Sequence, residues 1–168
     1  VFGYGTCAPY SVKLAADKMV WLSQTADGAG IVVAATGLVP ARISTYAVET
    51  AIAGYARTSI ITDAEAVVYS DQGHTFYCLT FPSANATWVY DLSTGLWHER
   101  GVWDTASGSY DFWGPRSHAY AFGQHLVGNR TTGMICSMDT DITTECDGEL
   151  IRRLRIPPAL WLSQGRRL

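Results

Sequence analysis

His98, Glu99 and Arg100 are the adjacent side chains best suited to acid–base chemistry in this chain: an imidazole, a carboxylate and a permanent cation. They end a strand-like run, Leu96 to Arg100, in which successive side chains point to opposite faces. Glu99 is therefore directed away from His98 and Arg100, and the three do not converge on one substrate. A glycosidase needs two carboxylates facing each other across a cleft. Glu65, Asp91, Glu99, Asp104 and Asp111 are candidates by type, without diagnostic spacing. His74, His98, His118 and His125 are scattered with no H-x-x-x-H or H-E-x-x-H pattern, and no Gly-rich loop leads into Lys-Ser/Thr. These residues assign no catalytic, metal or cofactor site, and no cofactor is expected.

Two other groups are suited to contact rather than reaction. Gly101 to Gly114 (GVWDTASGSYDFWG) reads as an exposed loop carrying Trp103, Tyr110, Phe112 and Trp113 among Gly, Ser and Asp. Such a loop suits a protein contact or sugar stacking, and equally suits packing over the sheet beneath it. Arg152, Arg153, Arg155, Arg166 and Arg167 supply five of the 12 basic residues at the end of the chain. Alternation puts Arg153 and Arg155 on one face and Arg152 on the other. They fit a charged edge strand, an acidic partner, or a lining past which DNA moves without base readout.

The elements that must position these groups are mostly short strands. His74 to Arg100 (HTFYCLTFPSANATWVYDLSTGLWHER) reads as three strands and two turns. If the second turn closes without a bulge, Tyr90 lies opposite Trp97 and Trp88 opposite Glu99. Trp88, Tyr90 and Trp97 then share one face, and Val89, Leu96 and His98 the other. A hairpin apolar on both sides, turning through Gly95, belongs in the middle of stacked sheets. Strands are also predicted at Ser11–Ala15, Met19–Ser23, Ile31–Ala35, Ala41–Ile43 and Ala64–Tyr69, then Ser117–Phe122, His125–Asn129, Met134–Asp139 and Glu149–Ile156. Ser44 to Tyr55 breaks this rhythm. Ser44 or Thr45 can cap, and Val48, Ile52 and Tyr55 recur at i, i+4 and i+7, predicting an amphipathic helix over about 45–55 that ends near Gly54.

Units beginning near residues 11, 64 and 117 (about 11–43, 64–100 and 117–156) each offer four short strands. They predict an all-β fold, a partial β-propeller of about three four-stranded blades with one inserted helix, all of 1–168 forming part of one domain. Three blades do not close a ring, and the chain opens on Val1 without a leader, so residues beyond this chain are expected to complete it. At 168 residues, 48% hydrophobic and 16% charged, the composition is that of one globular core, with no apolar run long enough to span a membrane. The net charge of −3 argues against a nucleic-acid module as a whole, and no sequence-specific nucleic-acid binding is expected. Cys7, Cys78, Cys136 and Cys146 include one pair close in sequence and no C-x-x-C, and buried reduced thiols are expected rather than a bridge.

VWLSQTADGAGIVV, PARISTYAVETAI, GHTFYCLTFP and TWVYDLSTGLWHERG occur in this order. Together they resemble the packaged-DNA stabilisation, or head-completion, proteins of P22-like short-tailed bacteriophages, over about Tyr10 to Pro158. The resemblance implies a non-enzymatic virion protein at the head–tail connector, assembled in the host cytoplasm as a homohexameric propeller ring. It would help close the portal and retain packaged DNA, with the portal-bound adaptor, tail needle and tailspike as partners. The chain is much shorter than full-length members. The alternative is a propeller domain that binds or hydrolyses carbohydrate.

Overall fold

The structure, a computed structural model, describes residues 4–152. Two four-stranded antiparallel meanders come first: β1 (Lys13–Ala15), β2 (Lys18–Gln24), β3 (Gly30–Thr36) and β4 (Val39–Arg42), then β5 (Glu65–Asp71), β6 (His74–Phe81), β7 (Ala86–Asp91) and β8 (Leu96–Glu99). A hairpin of β9 (Gly101–Asp104) and β10 (Ser109–Phe112) follows, then a three-stranded sheet of β11 (Pro115–Ala121), β12 (Gln124–Asn129) and β13 (Ile135–Met138). The first strands of the three sheets are neighbours, β1 and β11 both lying against β5. This mostly-β stack around one helix is the all-β, partial-propeller architecture that the strand rhythm predicts.

The second sheet occupies the middle. Its β7–β8 register pairs Tyr90 with Trp97 and Trp88 with Glu99, as expected for a turn without a bulge. On one face Ala66, Tyr77, Leu79 and Phe81 are buried against Val20, Leu22, Val32 and Ala34 of the first sheet, with Trp88, Tyr90 and Trp97 packed at the margin. On the other, Tyr69, Cys78 and Val89 are buried with Trp113, against Val102 and Met138. Each fully buried large side chain contributes about 1.5–3 kcal/mol, so both faces stabilise the stack.

The aromatic side chains on the first face also satisfy their polar ends. Tyr77 is fully buried and its hydroxyl donates to the Ser11 carbonyl at 2.8 Å. The buried Ser11 hydroxyl in turn donates to the Ala8 carbonyl (2.7 Å) and accepts from the Leu22 amide (2.9 Å). The Trp97 indole donates to the Ile43 carbonyl at 2.9 Å. These bonds tie the second sheet to the first at fixed points rather than through apolar contact alone.

Helix α1 (Tyr46–Thr58) covers the end of this interface. Thr45 caps it, accepting from the Val48 amide, while Glu49 in the first turn pairs with Arg42 and accepts from the Ser44 hydroxyl. Val48 and Ile52 are buried. The helix passes so close to β3 that a Cβ on Gly30 would collide with Ile52 Cγ2. It also runs past Gly54, where the sequence suggests an end. Tyr55 packs on Phe81 with ring centroids 5.4 Å apart and accepts from the Trp88 indole, and this tertiary contact outweighs the roughly 1 kcal/mol that an interior glycine costs.

Three sequence expectations are corrected. The segment 101–114 is not an open loop: β9 and β10 pair through Trp103↔Tyr110 and Val102↔Asp111, because Asp104 accepts from the Ala106 and Ser107 amides and closes a tight turn. Residues 149–152 do not form a fourth strand on β13. They fold back instead, with the Glu145 amide donating to the Glu149 carbonyl and the Ile151 amide to the Thr143 carbonyl; 153–156 lie outside the described residues. Finally, Cys136 and Cys146 are joined in a disulfide with Cα atoms 5.9 Å apart, since the same fold-back returns Cys146 to β13; Cys7 and Cys78 are free.

Tyr77→Phe should lower unfolding free energy by about 1–2 kcal/mol, because the Ser11 carbonyl loses its buried donor while the ring volume is kept. Urea denaturation checks this: the midpoint falls with an unchanged m-value. An unchanged midpoint would mean that the bond does not tie the sheets.

Candidate functional site: an aromatic cleft between the second and third sheets

The second sheet's far face, the β9–β10 hairpin and the third sheet enclose an open cleft of about 1790 Å³. The chain after β8 builds its back wall. Arg100, whose backbone N–H donates a hydrogen bond to the Thr87 carbonyl, turns its side chain into a sleeve of three rings: Trp113 (4.9 Å), Tyr69 (5.7 Å) and Phe76 (5.8 Å). Its guanidinium donates to the Tyr69 hydroxyl at 2.7 Å. Among the described residues no carboxylate pairs with it. Cation–ring attraction strengthens where water is excluded, so Arg100 holds the hairpin to the second sheet.

Backbone-to-side-chain bonds complete the wall. The Trp113 amide donates to the Thr87 hydroxyl at 3.0 Å, and the Phe112 amide to the Asn85 side-chain carbonyl at 2.7 Å. The Asn85 amide group donates to Asp111 at 2.8 Å. Asn85 holds a left-handed φ of 51°, which an Asn side chain bonded in this way tolerates.

The predicted contact residues are divided by this geometry. Trp113 is buried and belongs to the packing. Phe112 is half-buried beneath Arg130, whose guanidinium lies 5.5 Å above the ring. Trp103 and the more exposed Tyr110 meet edge to face at 5.0 Å, and Arg152 lies 4.7 Å over Trp103. Arg153 and Arg155 lie outside the described residues. Trp88, Tyr90 and Trp97 sit on the opposite face of the sheet, and Gly95 takes φ 72° in the β7–β8 turn.

The candidate carboxylates are mostly engaged in holding the fold. Glu65 lies between Arg116 and Arg130, joining the second sheet to the third. Asp91 accepts from the Ser93 amide, the Thr94 hydroxyl and His74. Burial would raise its pKa, but these bonds together hold it below the ordinary carboxylate value. Asp104 closes its turn and Asp111 accepts from Asn85. Glu99 lies opposite Trp88, on the other face from His98 and Arg100. Among the described residues, no group of three or more His, Cys, Asp or Glu side chains could hold a metal.

Sequence reasoning missed a histidine pair at the cleft's edge. His118 and His125 face each other across β11 and β12, Nε2 to Nδ1 at 2.9 Å, with Asp71 3.8 Å from the far nitrogen of His125. The two histidines lie seven residues apart on separate strands, and only the tight turn at Phe122–Gly123 makes them neighbours. Burial, then the neighbouring His125, lowers the pKa of His118. Burial, then Arg100, lowers that of His98.

A histidine whose folded pKa is depressed binds its proton first in the unfolded chain. Stability is therefore full above the unfolded value of about 6.5 and is lost as pH falls through the folded values. Thermal melts from pH 7.5 to 5 should show a falling Tm, and replacing His98 and His118 by Asn should flatten that slope. A slope unchanged in the double variant would remove both histidines from the linkage.

A family model described as "Bacteriophage P22 Gp10, beta-propeller" matches residues 1–143, a span that takes in all three sheets, the hairpin and the helix. No curated protein matches the chain. No helix among the described residues is long and apolar enough to cross a membrane. With a match over most of its length, and with stacked antiparallel meanders of the kind the family's description names, the chain belongs to the phage-stabilisation family of bacteriophage P22 Gp10 β-propellers.

Proposed function

We propose that this chain is part of a virion structural protein of the head-to-tail junction, a non-enzymatic propeller scaffold that helps seal the portal, retain packaged DNA and attach tail components. The family match over residues 1–143 carries this reading. The site supports it physically: Glu65, Asp91, Asp104 and Asp111 are bonded into turns and between sheets, which suits a load-bearing body rather than a pair of opposed catalytic carboxylates.

In this role the protein forms a homo-oligomeric ring on the portal-bound adaptor and carries the tail needle and tailspike below it. The rim of Trp103, Tyr110 and Arg152 is the surface offered to one of these neighbours, since a ring half in water beside an arginine is a common centre of protein contacts. The full-length gene product, examined by light scattering and negative-stain imaging with and without the adaptor, should form a multi-copy ring on the adaptor. Trp103→Ala with Tyr110→Ala should weaken attachment of one neighbour by about tenfold or more. A compact monomer indifferent to the adaptor, together with a positive glycan screen, would reject this function in favour of carbohydrate binding in the same aromatic cleft.

A further inference from the structure

The four cysteines divide into two kinds. Cys78 is buried in the second sheet, its thiol pushed up to about 12 by burial, and Cys7 is half-buried with its pKa also raised by burial. Neither is poised to react. Cys146 is exposed and Cys136 only half-buried, and their bond lies in the wall of the cleft. Beyond it the chain folds into the small 143–151 hairpin, held by the Thr144–Leu150 bridge. Outside that hairpin, the described side-chain contacts linking it and Arg152 to the rest of the protein are few and near the surface. Thr105 donates to Glu149 at 2.9 Å, and Arg152 lies over Trp103. Exposed contacts of this kind hold a segment weakly. The covalent bond to β13 is thus the principal anchor of this wall.

We propose that Cys136–Cys146 is a thiol–disulfide exchange site, and that a low-molecular-weight thiol couple of the glutathione class sets whether the 143–152 segment is held against the cleft or released from it. The thiolate of one small thiol attacks the exposed Cys146 sulfur, the S–S bond breaks, and Cys136 leaves as a thiolate that takes a proton from water. A second small thiol attacks the small-molecule sulfur of the mixed disulfide, and Cys146 leaves and is protonated. Two small thiols are oxidised to one small disulfide and the protein disulfide is reduced to two thiols, with the reverse sequence closing the wall. Glu145 and Asp147 flank Cys146, and their carboxylates repel the thiolate of glutathione, which carries a second net negative charge from its carboxylates, more than the singly charged thiolate of dithiothreitol, so dithiothreitol should open the bond faster than glutathione at equal thiolate concentration. The exchange chemistry does not rest on the assembly role proposed above; Arg152 is shared by the two, ending the released segment and forming part of the contact rim.

The test uses the whole chain equilibrated with oxidised glutathione. Alkylation under denaturing conditions should label two thiols, Cys7 and Cys78, before reduction and four after it, whether the native chain is reduced with dithiothreitol or with excess reduced glutathione. Hydrogen exchange at the Glu145, Gly148 and Ile151 amides should then accelerate by about tenfold or more, while amides of β6 and β7 keep their protection. Cys146→Ser, a change at an exposed position, should show the fast pattern without reductant and no response to it. Four labels before reduction would overturn the proposal. Unchanged exchange at these three amides after verified reduction would overturn it too, as would loss of protection spreading into β6 and β7.

Discussion

A β-sheet that is apolar on both faces has to be covered twice, and this constraint on the second sheet organises the whole structure. Tyr77, Leu79 and Phe81 on one side and Tyr69, Cys78 and Val89 on the other demand two partners. The first sheet and α1 meet the first demand; the β9–β10 hairpin and the third sheet meet the second. Stacking of successive meanders follows from that requirement, and a propeller repeats the same solution around an axis. The third sheet shows where the repetition changes. It has three strands among the described residues, and the chain after β13 leaves the sheet for the cleft.

Polar chemistry in this protein mostly serves to keep the layers in register. Hydrophobic contact is non-directional, so two apolar faces alone would slide. The Tyr77–Ser11 bond fixes the first and second sheets, the Glu65 pairs with Arg116 and Arg130 fix the second and third, and Arg100 fixes the hairpin. Each joins separate elements through a group whose geometry admits little displacement. A chain that commits its carboxylates and aromatic hydroxyls in this way is suited to transmitting force, and that links the fold to the scaffold function proposed for it.

The cleft combines a rigid side and an adjustable one. Its back wall is continuous with the core through Trp113 and the Arg100 sleeve, so it does not move without disturbing the second sheet. Its front wall hangs on a disulfide and on contacts in solvent. The His118–His125 pair lies at the seam between the second and third sheets, where protonation adds charge to a half-buried contact. Responses to redox and to acidity therefore belong to the same side of the molecule, away from the interface between the first two sheets.

Much of the architecture was legible in the residues themselves. Alternation and turn chemistry located the strands of the first two sheets, and the register of Trp88, Tyr90 and Trp97 followed from the four-residue turn ending at Gly95. A cap at Ser44 or Thr45 and the spacing of Val48, Ile52 and Tyr55 announced the helix, with Thr45 taking the cap. These features depend on interactions within a few residues, which a local pattern records. The end of α1 did not, because Tyr55 carries the helix past Gly54 only by meeting Phe81 and Trp88. The same holds for the 101–114 hairpin, whose Trp113 looks like any exposed aromatic until Tyr69 and Arg100 are placed beside it, and for the Cys136–Cys146 bond, which depends on the fold-back at 143–151. The sequence by itself determined which segments pair in the first two sheets and which of their faces are apolar; only the tertiary structure decided the later pairings and which face meets which, because burial rewards any apolar partner and the choice among them rests on shape and on a few directional polar contacts between residues distant in the chain.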